Sequence, residues 1–329
     1  MKKILLILTT LLALTRTTIV CANDLSTDML VLKSLLAEDN RHLDCITEHE
    51  LSTCMDKNFQ PYTGGVSSRY SNGNLAVMGQ TKNGKKDGLW KTYYTNGQLK
   101  YEAYWSNGKQ EGKAKAYYEN GKLAYEENYK DGKLEGVKLD YYDTGYIKAE
   151  GHFKNGVLDG LLTMYYTNGK VQMENNNKGG KLDGITKAYD ENGKLQFETN
   201  YKNDILHGVS KTYYTNGNVA TEENYKEGKK EGLSKKYYHN GRLKSEWTFK
   251  DDKENGLVKE YYPNGAIQDI GNFKNGKIDG IFKSYHPNGQ VATIESYKNG
   301  KEDGVFKRFD IYGNIIQVNK YNEGQLIYY

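Results

Sequence analysis

Of six histidines, the four within the repeating region, His152, His207, His239 and His286, and a glutamate series that includes Glu102, Glu126 and Glu222 are side chains with which this chain could move protons. A catalytic triad needs nucleophile, base and orienting acid to converge, and glycoside hydrolysis needs one facing pair of carboxylates. Here the histidines occupy unrelated places in a repeating pattern. The glutamates recur once per repeat, which makes a row and not a pair. Two stretches, GQTKNGKK from Gly79 and GNFKNGKI from Gly271, fit Gly-x4-Gly-Lys. Both lack the Ser or Thr that would hold magnesium and fall on hairpin turns instead of strand-to-helix loops. No His-Arg-Asp or Asp-Phe-Gly element of a kinase is present. The expectation is a non-enzymatic chain without a cofactor.

The elements that would position these residues are set by the glycines. Gly64, Gly88, Gly112 and onward to Gly304 stand 24 residues apart. A second series runs in step: Gly73, Gly97, Gly121, Gly145, Gly169, Gly193, Gly217, Gly241, Gly265, Gly289 and Gly313. Eleven copies without insertion mean stacked supersecondary units, each unable to bury its apolar face alone. Counting the first glycine as position 1, position 6 is Tyr from Tyr93 to Tyr285 and Phe in Phe309. Position 12 is always aliphatic, as in Leu99, position 18 is mostly aromatic, as in Trp105, and position 2 is mostly Leu, Ile or Val. Even spacing is the alternation of a strand with one covered face. On that reading Tyr93, Leu99, Trp105 and the position-4 lysines (Lys91, Lys115, Lys187, Lys211) share the apolar face. The position-15 glutamates and the position-7 tyrosines then take the other.

The turn at each second-series glycine can be read further. Pro263 and Pro287 precede the Asn-Gly pair where a two-residue type I′ turn needs a ladder donor, which proline lacks. Thr144 and Tyr312 in the Asn place would resist a positive φ. A three-residue loop, a type I turn closed by glycine in the left-handed region, accommodates all four and sets Tyr93 opposite Leu99. Each copy is then one hairpin, and the whole is an all-β, elongated, twisted antiparallel meander over residues 64–329.

Composition agrees with a thin structure. Of 329 residues 37% are apolar, mean hydropathy is −0.84, and 30 of the aromatic residues are Tyr against 8 Phe, so most rings keep a polar end near water. Lys2 and Lys3 precede an apolar run, Ile4 to Leu14, followed by a polar stretch that ends Val20-Cys21-Ala22. That is the pattern of a signal peptide over residues 1–22 and implies export to a periplasmic, cell-surface or secreted location. The alternative is a lipoprotein acylated at Cys21, against which Val20 stands where a small residue is usual. Removing residues 1–22 takes the net charge from +4 to about +1, which leaves no electrostatic footprint for nucleic acid. No segment is long and apolar enough to cross a bilayer as a helix. Strands of about 6–7 residues charged on both faces do not suit an outer-membrane barrel, whose strands need about 9–11.

Residues 23–63 break the pattern. Ser26 or Thr27 can cap a helix carrying Met29, Leu32, Leu35 and Leu36, read either as a cap over the first hairpin or as a partner-binding helix. Cys45 and Cys54 are disulfide candidates in an oxidising compartment. With His42 and His49 they match no standard zinc spacing, so no metal is expected.

"YYTNGQLKYEAYWSNGKQEG", repeated in phase, resembles the bacterial variant of the MORN repeat, including chains labelled as YwqK-type antitoxins. The resemblance implies an elongated repeat sheet used for binding or scaffolding, no catalytic residues, and, as the alternative role, an antitoxin or immunity protein that masks a toxin. Tyr94, Tyr118, Tyr142, Tyr166, Tyr214, Tyr238 and Tyr262 are the candidate contact row for a protein or cell-surface partner. In the last copies the position-15 glutamate becomes Ile270, Ile294 and Val318, joined by Ile316. That aliphatic stripe is read either as strand propensity or as a contact surface. The C-terminal GQLIYY strand, without charge or proline, is expected to pair with itself or with a partner strand.

Overall fold

The structure is a computed structural model that describes residues 63–327. The residues expected to form a signal peptide (1–22), those expected to form a helical cap (23–63, up to residue 62) and the disulfide candidates Cys45 and Cys54 lie outside the described residues.

Among the described residues every regular element is a strand. The 28 strands form one sheet in which outbound and return strands pair antiparallel in chain order. A repeat consists of an outbound strand ending at position 6, such as Lys109–Tyr117, and a return strand, such as Leu123–Lys130. In several repeats the outbound strand is interrupted before the first glycine, as in Lys85–Lys86 followed by Gly88–Tyr93. This is a meander, as the hairpin reading requires.

The two turns of a repeat are chemically different. At the first, the Tyr94 N–H donates to the Gln98 carbonyl at 2.8 Å and the Gly97 N–H to the Tyr94 carbonyl at 2.9 Å. Three residues are enclosed, Gly97 has a φ of +88°, and Asn96 does not enter the positive region. The three-residue loop and the Tyr93–Leu99 pairing are as the prolines and the variable Asn implied. The second turn is the two-residue kind. Asn107 and Gly108 both have positive φ, 53° and 80°, the signature of type I′. Asp204 and Asp252 replace the glycine there at φ of 68° and 66°. Their carboxylates accept the Leu182 and Lys230 N–H of the preceding repeat at 2.7 Å, which offsets the strain.

The assignment of faces needs correction. Lys100 is an extra residue in the return strand, since Tyr93 pairs with Leu99 but Thr92 pairs with Tyr101. This bulge reverses the alternation, so positions 12 and 18, both even, point to opposite faces. Trp105 therefore lies on the buried face, with positions 3, 5, 14 and 16. Tyr93, Leu99, the position-4 lysines and the position-15 glutamates share the other, open face. The lysines and Tyr93 do share a face, but it is not the buried one.

The buried face is packed along the sheet by neighbouring repeats. Trp90, 3% exposed, lies over Gly79 so closely that an added Cβ would sit 2.3 Å from its ring, and Phe282 covers Gly271 in the same way. Leu158 and Leu162 close over Ala149 and Gly151. In these three places a large side chain at position 3 covers a glycine at position 16 of the preceding repeat. Lys138 and Glu127 take these places once as an ion pair at 2.9 Å, both almost fully buried, with Tyr129 donating to Glu127 at 2.8 Å. Burial opposes the charge on Lys138, but Asp140 and Glu127 together hold its ammonium above its ordinary value.

Candidate interaction surface

The open face is built of rows that run across the strands, one residue per repeat in each. Its middle row is ionic. Lys91 faces Glu102 in register at 3.3 Å, and Lys115 faces Glu126 at 2.8 Å. Lys211 stands between Glu198 and Glu222 at 3.9 and 3.7 Å. Each pair is about one-third exposed, so it stabilises modestly and mainly fixes register. Beside it runs the position-6 tyrosine row. Tyr117, Tyr189, Tyr213 and Tyr261 donate to Glu102, Glu174, Glu198 and Glu246 of the preceding repeats at 2.9–3.1 Å. Burial first, and the glutamate bond second, push the Tyr189 and Tyr213 hydroxyls up to about 12. They remain protonated donors near neutrality, which suits hydrogen bonding and not nucleophilic chemistry.

On the other side of the ionic row lies a feature that strand parity had placed in the core. The position-2 aliphatics Leu161, Ile185, Leu233, Leu257, Ile281 and Val305 are 38–49% exposed. They alternate across the register with position-17 side chains, several of them asparagines whose amides donate to the next repeat, as Asn200 does to the Val209 carbonyl at 2.9 Å. The signal that could have found this row is the bulge at position 13. Counted from it, position 2 falls on the open face.

The candidate contact row at position 7 is not spare. The Tyr94 hydroxyl donates to the Tyr117 carbonyl at 2.7 Å. Tyr118, Tyr142, Tyr166, Tyr214, Tyr238 and Tyr262 repeat this bond to position 6 of the following repeat at 2.6–2.8 Å. Tyr70 does the same for Tyr93, and the His286 Nε2 sits 3.2 Å from the Phe309 carbonyl. These rings are half-buried along the first-turn edge and tie repeat to repeat. Along this edge position-9 asparagines such as Asn120 and Asn168 donate to the next loop, and along the other edge position-24 carboxylates such as Glu111 accept from the next turn, at 2.8–3.0 Å.

Of the aliphatic stripe, Ile270 and Ile294 are half-buried in the place of the ionic-row glutamates, and Val318 is 55% exposed. Ile316 lies at the bulge position, 61% exposed. All eleven second-series glycines, from Gly73 to Gly313, have φ between 79° and 96°. His152, His207, His239 and His286 remain in separate repeats, and among the described residues no three His, Cys, Asp or Glu side chains converge as metal ligands would. Among the same residues no helix is long and apolar enough to cross a membrane. The last strand, Gln325–Ile327, pairs with Ile315–Asn322.

Comparison with solved structures finds chains titled TcdB2-TccC3 and TcdB2-TccC3-Cdc42, each 14% identical, with TM-scores of 0.19 and 0.17. It also finds the Photorhabdus luminescens Tc holotoxin pore, 11% identical with a TM-score of 0.16. They cover 78–80% of this chain and 15–18% of their own length, so the chain spans less than a fifth of them, and such superpositions define no shared fold. No curated protein matches. The MORN repeat variant family matches at 86–107, 110–131, 134–155, 158–176, 182–203, 206–227, 230–251, 254–275 and 278–299. These segments make up more than half of the chain and keep the phase of the hairpins, and the chain belongs to the MORN repeat variant family.

Proposed function

We propose that this protein is an exported, non-enzymatic scaffold that captures a protein or cell-surface partner along the open face of its sheet. The observation that supports this reading is the face itself. Rows of aliphatic, ionic and aromatic side chains recur every 24 residues with no second layer of described structure over them. A partner with its own repeats, or a dense surface, would meet the same weak contact many times, and such contacts gain by effective concentration. The position-2 aliphatics supply apolar area. The ring faces of Tyr94, Tyr118, Tyr142, Tyr166, Tyr214, Tyr238 and Tyr262 line the adjacent edge, their hydroxyls already engaged. Export rests on the Lys2–Lys3 and Ile4–Leu14 pattern.

The test joins compartment and capture. A C-terminal alkaline phosphatase fusion of the full chain is expected to be active only with residues 1–22 present. The purified chain is expected to crosslink to intact producing cells, and Leu161→Ser, Ile185→Ser and Leu233→Ser together should reduce crosslinking several-fold while circular dichroism stays unchanged. Cytoplasmic retention, or capture indifferent to this triple change, would overturn the proposal.

A further inference from the structure

The ionic row of the open face ends at Glu246. Beyond it the position-15 residues are Ile270, Ile294 and Val318, and position 6 becomes Phe309 where Ile294 no longer offers an acceptor to a tyrosine hydroxyl. The lysines do not end. Lys283 stands in register between Ile270 and Ile294, and Lys307 between Ile294 and Val318. Upstream, Lys91, Lys115 and Lys211 in this position have carboxylates at 2.8–3.9 Å. Among the described residues Lys283 and Lys307 form no ion pair. They are flanked by Ile281 and Val305, 49% and 41% exposed. The result is a line of uncompensated ammonium groups on aliphatic ground.

We propose that this end of the open face docks an acidic, extended polypeptide segment whose carboxylates take the place of the missing position-15 glutamates. The inference deepens the scaffold reading and rests on it. An ammonium ringed by aliphatic side chains attracts a carboxylate more strongly than one in bulk water, and a patch that is basic and apolar at once selects a partner that is acidic and apolar at once. Spacing narrows the partner. Successive lysines lie two strands apart, about 10 Å at about 4.8 Å per strand. A polyproline II segment repeats every three residues at about 3.1 Å each, so it presents one carboxylate about every 9.3 Å on one side. Glu-x-x-Glu with apolar x therefore matches Lys283 and Lys307 without bending either chain.

The probe is a fluorescein-labelled peptide of four Glu-Pro-Pro triplets, titrated with the purified chain at low salt and followed by anisotropy. Binding is expected, with loss of at least about tenfold when Gln replaces Glu in the peptide or when the protein carries Lys283→Gln with Lys307→Gln. The decisive variant is Ile270→Glu, Ile294→Glu and Val318→Glu, which copies a pattern that folds in seven other repeats. It should abolish peptide binding while leaving the melting temperature unchanged or higher. Equal binding of the Gln peptide, or full binding by the Glu variant, would overturn the inference. So would sedimentation with phosphatidylserine vesicles in the absence of peptide binding. If the peptide is ignored while the Leu161, Ile185 and Leu233 changes still abolish cell capture, this inference falls and the scaffold reading stands.

Discussion

Tyr166 shows why a residue cannot be assigned to contact merely because its neighbour is assigned to the core. In sequence the two tyrosines of each pair differ only by one place, and the second has no strand partner to occupy it. In the fold its hydroxyl donates to the Tyr189 carbonyl at 2.8 Å, and burial raises its pKa. Tyr166→Phe removes that donor while keeping the ring, and is expected to cost about 1 kcal/mol, the net worth of one intramolecular hydrogen bond. The urea midpoint checks this, and an unchanged midpoint would show the hydroxyl to be idle. The ring was legible in the pattern. The acceptor was not, because it is a backbone carbonyl 23 residues away and carries no side-chain signature.

At the scale of the element, the hairpin was legible from single residues. Pro263, Pro287, Thr144 and Tyr312 all disfavoured a two-residue first turn, and Gly169 has the φ of 80° that the alternative demands. An added Cβ at Gly169 meets nothing within 4 Å. Gly169→Ala should therefore cost only the left-handed backbone penalty, about 1–2 kcal/mol, read as a lower urea midpoint. A neutral result would mean that the loop relaxes to another turn. Face assignment failed in the same element because parity counts residues, while the bulge at Lys100 pairs two of them with one. Lys100 itself carries no Gly or Pro to announce it. The position-2 row was consequently read as core, and six of its side chains from Leu161 to Val305 are in fact exposed.

For the whole molecule, pairing only between neighbours along the chain makes stability a sum over repeats and their interfaces. Excising residues 160–183 joins Asp159 to Gly184, which preserves phase. The shortened chain should keep its strand spectrum and unfold with a slightly smaller urea m-value, in proportion to the surface removed. Excising 160–171 alone joins an outbound strand to the wrong half of a hairpin and should abolish cooperative unfolding. If both deletions behave alike, the 24-residue unit is not the folding unit.

The period of 24, the all-β class, the turn at Gly97 and the Tyr93–Leu99 pairing were determined by the sequence alone, because each follows from local backbone limits on Gly and Pro and from one side chain facing another across a known loop. Which face is buried, which tyrosine binds the next repeat and where lysines lose their carboxylates were decided only in the tertiary structure. Those depend on the register between strands, and one extra residue in a strand changes every face beyond it.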